Sequence, residues 1–456
     1  MKNVSTFQIV FLAVFILIAI VGVAVFAGFG GSNRVAVPKA TIWGTVPSYY
    51  INEMVRNINI RSTVIEVSYI EKDPETFQAE FVNALAEGVG PDAVLLADDL
   101  LYSQKNKLQP IPFTVFLERD YRSTFIDSAS IFISKDGILG VPLSIDPMVM
   151  YYNKNILARN AISRPPKSWK EMIQIAPAII QRTDTSTIVQ ALVPFGEYSN
   201  VKNAKEILAT LFFQTGNSIT EQNLTTGEVY SVIDRDLDTR NQDDVQGGTL
   251  GTASNGASGD TQGGTAATES VLDFYTSFAN PSKSIYSWNR SLPNSENAFL
   301  SGDLTFYFGY ASEIQSLRDK NPNLNFDVAQ IPEEVNGTPN VYGKMTAFAI
   351  VKNSKNFAGA LGVISKLTEK SSIELWRDVY NLPPVRRDLL AEPAKDAYMT
   401  VFYRSAIQSK SWYDPSPAES DAVFRDMIES ITSGREKMSN AVGDAKLKLD
   451  RLLKTK

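Results

Sequence analysis

Asp92-Ala-Val-Leu-Leu-Ala97-Asp98-Asp99 is the stretch that decides the architecture. Its middle is an uninterrupted apolar run, the pattern of a strand covered on both faces. Immediately upstream, Phe77, Phe81 and Leu85 recur every four residues as the apolar stripe of a helix. Asp73-Pro74-Glu75 supplies an N-cap with Pro at the first helical position, and Gly88 closes the helix. Before it, the β-branched run from Val64 to Ile70 predicts a second strand. Ala40-Thr-Ile-Trp43, ending in Gly44-Thr45, predicts a first, with a helix pattern between them reaching Ile58. The order β-α-β-α-β implies an α/β fold built on a parallel sheet with helices on both sides. Ligands of such open sheets gather at the carboxyl ends of the strands. That rule selects the loop after Trp43 and the pair Asp98-Asp99.

The chain has 456 residues, with 44 Lys and Arg against 50 Asp and Glu, a formal net charge of −6. An acidic balance argues against nucleic acid as a partner, because neutralising a phosphate backbone needs concentrated Lys and Arg. His and Cys are both absent. Their absence excludes Ser-His-Asp and Cys-His nucleophile systems, His/Cys zinc sites, disulfides and CxxC redox centres. It leaves the compartment open. Asp234-x-Asp236-x-Asp238 has the residue types of a calcium loop, but Thr239 and Val245 stand where an EF-hand needs Gly and Glu. No metal and no cofactor are expected.

From Ile9 to Phe29 the chain carries no charge and is mostly Ile, Val, Phe, Ala and Leu. A helix of roughly 20 such residues matches a hydrocarbon core of about 30 Å, so residues 1–32 are expected to form a single N-terminal membrane helix or signal segment. The run exceeds the apolar region of an ordinary signal peptide and favours a retained anchor, while Val25-Phe26-Ala27 offers a cleavage site as the alternative. Everything after about Ser32 is expected to lie on one side of the membrane. Residues 234–269, with a Gly/Ser/Thr-rich centre from Gln246 to Thr265, are too poor in large apolar side chains to offset their ordering entropy, and predict a disordered insert.

The stretch Gly140-Val-Pro-Leu-Ser-Ile-Asp146-Pro-Met-Val-Met-Tyr-Tyr152-Asn-Lys154, followed by Arg164-Pro-Pro-Lys-Ser-Trp169-Lys-Glu171, resembles the extracellular solute-binding proteins of ABC importers, in the maltose-binding-protein-like, carbohydrate-binding branch. Other segments fit that family in the same order. Ala84-Leu-Ala-Glu-Gly-Val-Gly-Pro-Asp92 is similar to its strand entry, and Ala298-Phe-Leu-Ser-Gly302 to Gly309-Tyr310 to a second-lobe segment. Gly343-Lys344-Met-Thr-Ala-Phe-Ala-Ile350, followed by Lys352-Asn-Ser-Lys355, is similar to the return crossing. The resemblance spans roughly residues 40–440.

It implies a two-lobed, type II periplasmic-binding-protein-like fold, each lobe a mainly parallel sheet flanked by helices. Lobe 1 would comprise residues 38–143 and 348–381, and lobe 2 residues 147–345 and 382–445. Hinges are implied near Val141–Ser144 and Met345–Ala349, with a third crossing near Leu382-Pro-Pro384. The implied function is capture of a small polar solute, a sugar or oligosaccharide, between the lobes, by a monomer that presents it to permease subunits in the membrane from the extracytoplasmic side.

Sugars offer hydroxyls to carboxylates and apolar faces to flat rings, and neither contact needs His or Cys. The candidate ligand residues are therefore Trp43, Asp98, Asp99, Asp146, Trp288, Tyr310 and Trp376. The aromatics also have a plain structural reading as core packing, and Asp98 and Asp99 as helix caps, whereas Asp146, flanked by apolar residues, would be hard to bury without a partner. Trp169 is read as structural. No catalytic residue is expected. Two other functions stay open, an anchored scaffold or adhesion protein with the same body, and a glycan hydrolase, which needs only two suitably spaced carboxylates.

Overall fold

In the computed structural model, residues 39–61, 66–223, 225–235, 266–334 and 337–455 are described. The expected membrane segment and the centre of the Gly/Ser/Thr-rich insert lie outside them. Among the described residues no helix is long and apolar enough to cross a membrane.

The first lobe opens with β1 (Lys39–Gly44), α1 (Ser48–Arg61), β2 (Glu66–Glu71), α2 (Phe77–Ala86) and β3 (Ala93–Ala97). Strands β2 and β3 both pair parallel with β1, as the local β-α-β-α-β pattern requires. Ala93, Val94, Leu95 and Leu96 are all buried, the state that a continuous apolar run demands. Asp92 fixes the entry to β3: its carboxylate accepts from the Thr41 amide at 2.8 Å and from the Ser354 hydroxyl at 2.7 Å.

The long strand β4 (Val141–Asn153) then carries the chain into the second lobe. There α3 (Ala204–Gln214), β5 (Phe306–Tyr310) and β6 (Phe326–Ala329) follow, and β7 (Val341–Ile350) returns. Strand β7 pairs antiparallel with β4 and, at its far end, antiparallel with β3, so one sheet runs through both lobes. The register places Lys344 opposite Asp146 and Gly343 opposite Pro147. It slips between Thr346 and Ala347, where Ser144 and Pro142 are the partners, leaving Leu143 as the extra residue of a bulge. Pro142 lacks a ladder donor, which suits it to that position. Gly343 is required by a close approach: a Cβ there would meet Ser409 Oγ at 2.3 Å.

In the second lobe the expected mainly parallel sheet is corrected. β5 and β6 both pair antiparallel with β4, one on each side of it. They run in a common direction but are separated by a strand entering from the other lobe, so every ladder on β4 has antiparallel hydrogen bonding.

Two large apolar cores flank the junction. Along β4, Ile145 belongs to the first and Met148 to the second; along β7, Tyr342 belongs to the second and Met345 to the first. The boundary therefore falls at Asp146-Pro147 and Gly343-Lys344, slightly to the second-lobe side of the implied hinge residues. After α4 (Lys370–Tyr380), Leu382 lies in the second core, Val385 and Leu389 in the first, and Met399 in the second again. The third passage is thus spread beyond Leu382–Pro384, and Tyr380 and Leu390 pack on both cores.

The short β8 (Ser409–Lys410) pairs parallel with β7, and α5 (Pro417–Thr432) and α6 (Met438–Thr455) complete the second core through Phe424, Ile428, Val442 and Leu449. Helix α6 continues past residue 445, and the Leu453 carbonyl accepts from the Tyr102 hydroxyl at 2.8 Å. A buried ion pair ties the segment before α5 to α3. Lys205 Nζ lies 2.8 Å from Asp414, with further bonds to the Pro417 carbonyl and the Ser420 hydroxyl, both at 3.1 Å. Removing one member of such a pair strands the other charge. Asp414→Ala is expected to lower unfolding stability in urea by about 3–5 kcal/mol, and Lys205→Met combined with Asp414→Leu to recover most of the loss.

Candidate functional site

Strand direction brings the chemistry together. The carboxyl end of β3 reaches the junction, with Ala97 opposite Thr346, and that of β5 reaches it from the other side, with Tyr310 opposite Met148. The crevice rule therefore points both lobes at the same place, where Asp146 and Lys344 sit on the crossing strands.

Asp98 and Asp99 begin the 3₁₀ turn that follows β3. They do different things. Asp99 forms an ion pair with Lys344 at 2.7 Å. Asp98 is fully buried, with the Ser411 hydroxyl and the Met345 backbone as its polar neighbours. Burial, aided by the neighbouring Asp99, raises its pKa to about 7; the Ser411 hydroxyl and the Lys344 ammonium oppose the shift. Neither aspartate caps a helix.

Asp146 keeps some solvent exposure but is hemmed in by protein. Its pKa is also raised to about 7, chiefly by burial, against the pull of its hydrogen bond with Ser312. The Ser312 amide donates to Asp146 Oδ1 at 3.0 Å, at the start of the helix Glu313–Lys320, where a carboxylate is favoured by the exposed N–H groups. Burial lowers Lys344, but Asp99, Asp98 and Glu206 outweigh it and raise its pKa overall. Glu206, on α3, is itself raised by burial, with Lys205 opposing. Tyr310 and Tyr342 meet edge to face, with centroids 6.4 Å apart. Burial and the surrounding carboxylates push both hydroxyls well above the usual phenol range, so they stay neutral donors.

An aromatic row forms the other flank. Trp376 stacks on Tyr380 at 4.6 Å and 13°, and Tyr380 meets Tyr50 edge-on at 4.4 Å. Burial, and then Asp146, raise the Tyr380 hydroxyl to about 12.

Of the seven residues expected from sequence, Asp99, Asp146 and Tyr310 converge on this crevice, while Asp98 lies fully buried beneath Asp99 and Lys344. Trp288 does not join them. It is fully buried in the second core, with its indole N–H donating to Asn200 Oδ1 at 3.1 Å, and presents no face to a solute. Trp376 is corrected from platform to backing: it is 1% exposed, and Tyr380 lies over it. Trp43, at the end of β1, is partly buried and carries the Lys72 ammonium 3.9 Å above its ring. Trp169 is a packing residue among Phe195, Phe274 and Phe308.

Sequence reasoning missed Lys344, Glu206, Tyr342 and Tyr380. Lys344 had a signal, as the one charge in the strand Val341–Ile350. Tyr380, at a helix end, had none. Among the described residues no three His, Cys, Asp or Glu side chains are grouped to hold a metal ion. The site offers carboxylates, one ammonium, phenol hydroxyls and flat rings, a set suited to recognising a hydroxylated molecule.

The geometry defines a two-lobed α/β body of the periplasmic-binding-protein-like class. Known proteins agree. A cyclo/maltodextrin-binding protein complexed with maltotetraose superposes with a TM-score of 0.69 at 15% identity, over 93% of this chain and 98% of its own. The cyclic α-maltosyl-1,6-maltose binding protein of Arthrobacter globiformis gives 0.71 at 13% identity, over 92% and 100%. The sugar-binding protein of Xanthomonas citri gives 0.69 at 17% identity, over 91% and 98%. A protein named as a binding protein in Brucella abortus (strain 2308) is 23% identical over 359 residues, 75% of each chain. The pattern of the bacterial extracellular solute-binding proteins matches residues 53–401, more than half of the chain, and the protein belongs to that family.

The raised pKa of Asp98 sets a pH dependence. The unfolded chain releases this proton near the ordinary value of 3.8, the folded one near 7. The stability contributed by the protonated form is full below 3.8 and is lost as pH rises towards 7, by at most about 1.4 kcal/mol per pH unit. Asp98→Asn is expected to gain stability relative to the parent across that window, as measured by urea unfolding at a series of pH values. A difference independent of pH would contradict it.

Proposed function

We propose that the protein captures a small polar solute, a sugar or oligosaccharide, in the crevice between its lobes and hands it to a membrane permease. The observation that carries this reading is the convergence of the strand ends of both lobes on Asp99, Lys344, Asp146 and Tyr310. Carboxylates and the ammonium supply hydrogen bonds to hydroxyls, and the ring supplies a stacking face. Proteins of the same fold have been solved with maltotetraose and with a sugar-binding role, which favours a carbohydrate here.

Solute contacts made only when the lobes approach would shift the open–closed balance, with β4 and β7 as the flexing elements. In this reading the apolar segment 9–29 holds the body at the outer face of the cell membrane, where a permease can reach both lobes. Binding then needs no bond to be made or broken.

The test is a thermal-shift and calorimetric screen against maltooligosaccharides, other oligosaccharides and amino acids. A bound solute at one hundred times its Kd should stabilise the fold by about 2.7 kcal/mol. Asp146→Asn keeps an oxygen for the Ser312 amide, so it should fold normally. It should lose a charged hydrogen bond worth about 1.5–3 kcal/mol, or roughly tenfold or more in affinity. A protein stabilised by no carbohydrate would refute the reading, and release of reducing ends from an oligosaccharide would turn it towards hydrolysis.

A further inference from the structure

A second polar cavity lies at the lobe junction, lined by segments other than those that form the crevice. Its volume is about 370 Å³, within the range of small-molecule sites. Its walls carry Ser128, Ser130, Ser218, Thr220 and Ser411 beside the Trp412 ring. The two sides belong to different cores: Ile131, also in the lining, packs in the first and Trp412 in the second.

One of its hydroxyls is an orphan: Ser128 is 8% exposed, and its Oγ has no hydrogen-bond partner. Buried hydroxyls without partners cost free energy that a ligand with matching donors and acceptors recovers. The charged lining does not call for an ionic ligand. Asp127 is already engaged by Arg387 at 2.5 Å, and Lys410 is exposed to solvent. Hydroxyls grouped beside a buried indole suit a molecule that is itself neutral and rich in hydroxyls.

From these features we infer that this cavity is an effector site for a small uncharged polyol or monosaccharide, separate from the crevice. Resting on the reading of the protein as a hinged binder, the inference gives the site a consequence. A ligand that touches walls from both cores discriminates between lobe arrangements, so it changes crevice affinity, and crevice occupancy changes its own affinity by the same factor. Ser411 also faces Asp98, whose neighbour Asp99 holds Lys344 in the crevice, so the two sites share a line of contacts.

The five tryptophans allow both sites to be watched at once. The full-length protein labelled with 5-fluorotryptophan would be titrated with D-glucose, maltose and myo-inositol, with each fluorine resonance assigned by a Trp→Phe variant. Trp412 reports on the cavity, Trp376 on the crevice, and Trp169 and Trp288 on the integrity of the fold.

The expected result is a saturable shift of the Trp412 line with at least one probe. It should persist in Asp146→Asn, and be lost in Ser218→Trp and in Ser130→Phe, which fill the cavity from different segments. A silent Trp412 beside a responsive Trp376 overturns the effector site and leaves the crevice reading standing. The inference also falls if the Trp412 shift disappears in Asp146→Asn, which would make it an echo of crevice binding, or if it survives both cavity-filling variants. Silence of both lines with all three probes overturns it as well.

Discussion

The antiparallel ladder between Val141–Asn153 and Val341–Ile350 is the constraint on which the rest of the molecule depends. Both strands are buried along almost their whole length, and each passes from one core to the other within three residues. At that passage the register sets Asp146 against Lys344. Charges are expensive to bury and persist only when paired or hydrogen-bonded. Here Lys344 is held by Asp99 from the end of β3, and Asp146 by the Ser312 amide at the N-cap of a second-lobe helix. The polar seam therefore fastens parts of both lobes to the ladder while leaving Asp146 partly open to solvent.

How much of this could be read from the chain depends on the range of the forces involved. The first lobe was legible because its signals are local: an apolar run buried on both faces at Ala93–Leu96, and a helix stripe at Phe77 and Phe81. The second-lobe sheet was not, because the direction of β5 and β6 relative to their partner is decided by β4, which lies more than 150 residues before β5 and enters from the other half of the molecule. The candidate site divided in the same way. Asp98, Asp99 and Asp146 stood out as carboxylates at strand ends or within apolar surroundings. Trp288 and Tyr380 are both aromatic, and nothing in their neighbourhoods says that one is enclosed by the second core while the other packs on both. That distinction exists only after distant segments have met.

The crevice is mixed rather than simply acidic. Burial raises the pKa values of Asp146 in the crevice and of Asp98 beneath it to about 7, which favours the protonated, donor-bearing form more than in an ordinary carboxylate. Lys344 stays cationic because its carboxylate neighbours outweigh its burial. Tyr310 and Tyr342 keep their protons. A neutral solute with many hydroxyls can satisfy such a wall in several ways, since each hydroxyl both donates and accepts.

The final helix carries a consequence for how the chain comes to be assembled. Val442 and Leu449 complete a core whose earliest members include Met148, and the carbonyl of Leu453 is gripped by Tyr102. The first core likewise waits for Val385 and Leu389 to meet Ala40 and Ile42. Neither half is a contiguous piece of polypeptide, so neither can finish packing until most of the chain has been synthesised. Long-range closure of this kind slows folding, and it delays completion of either core until segments beyond Leu382 have been made.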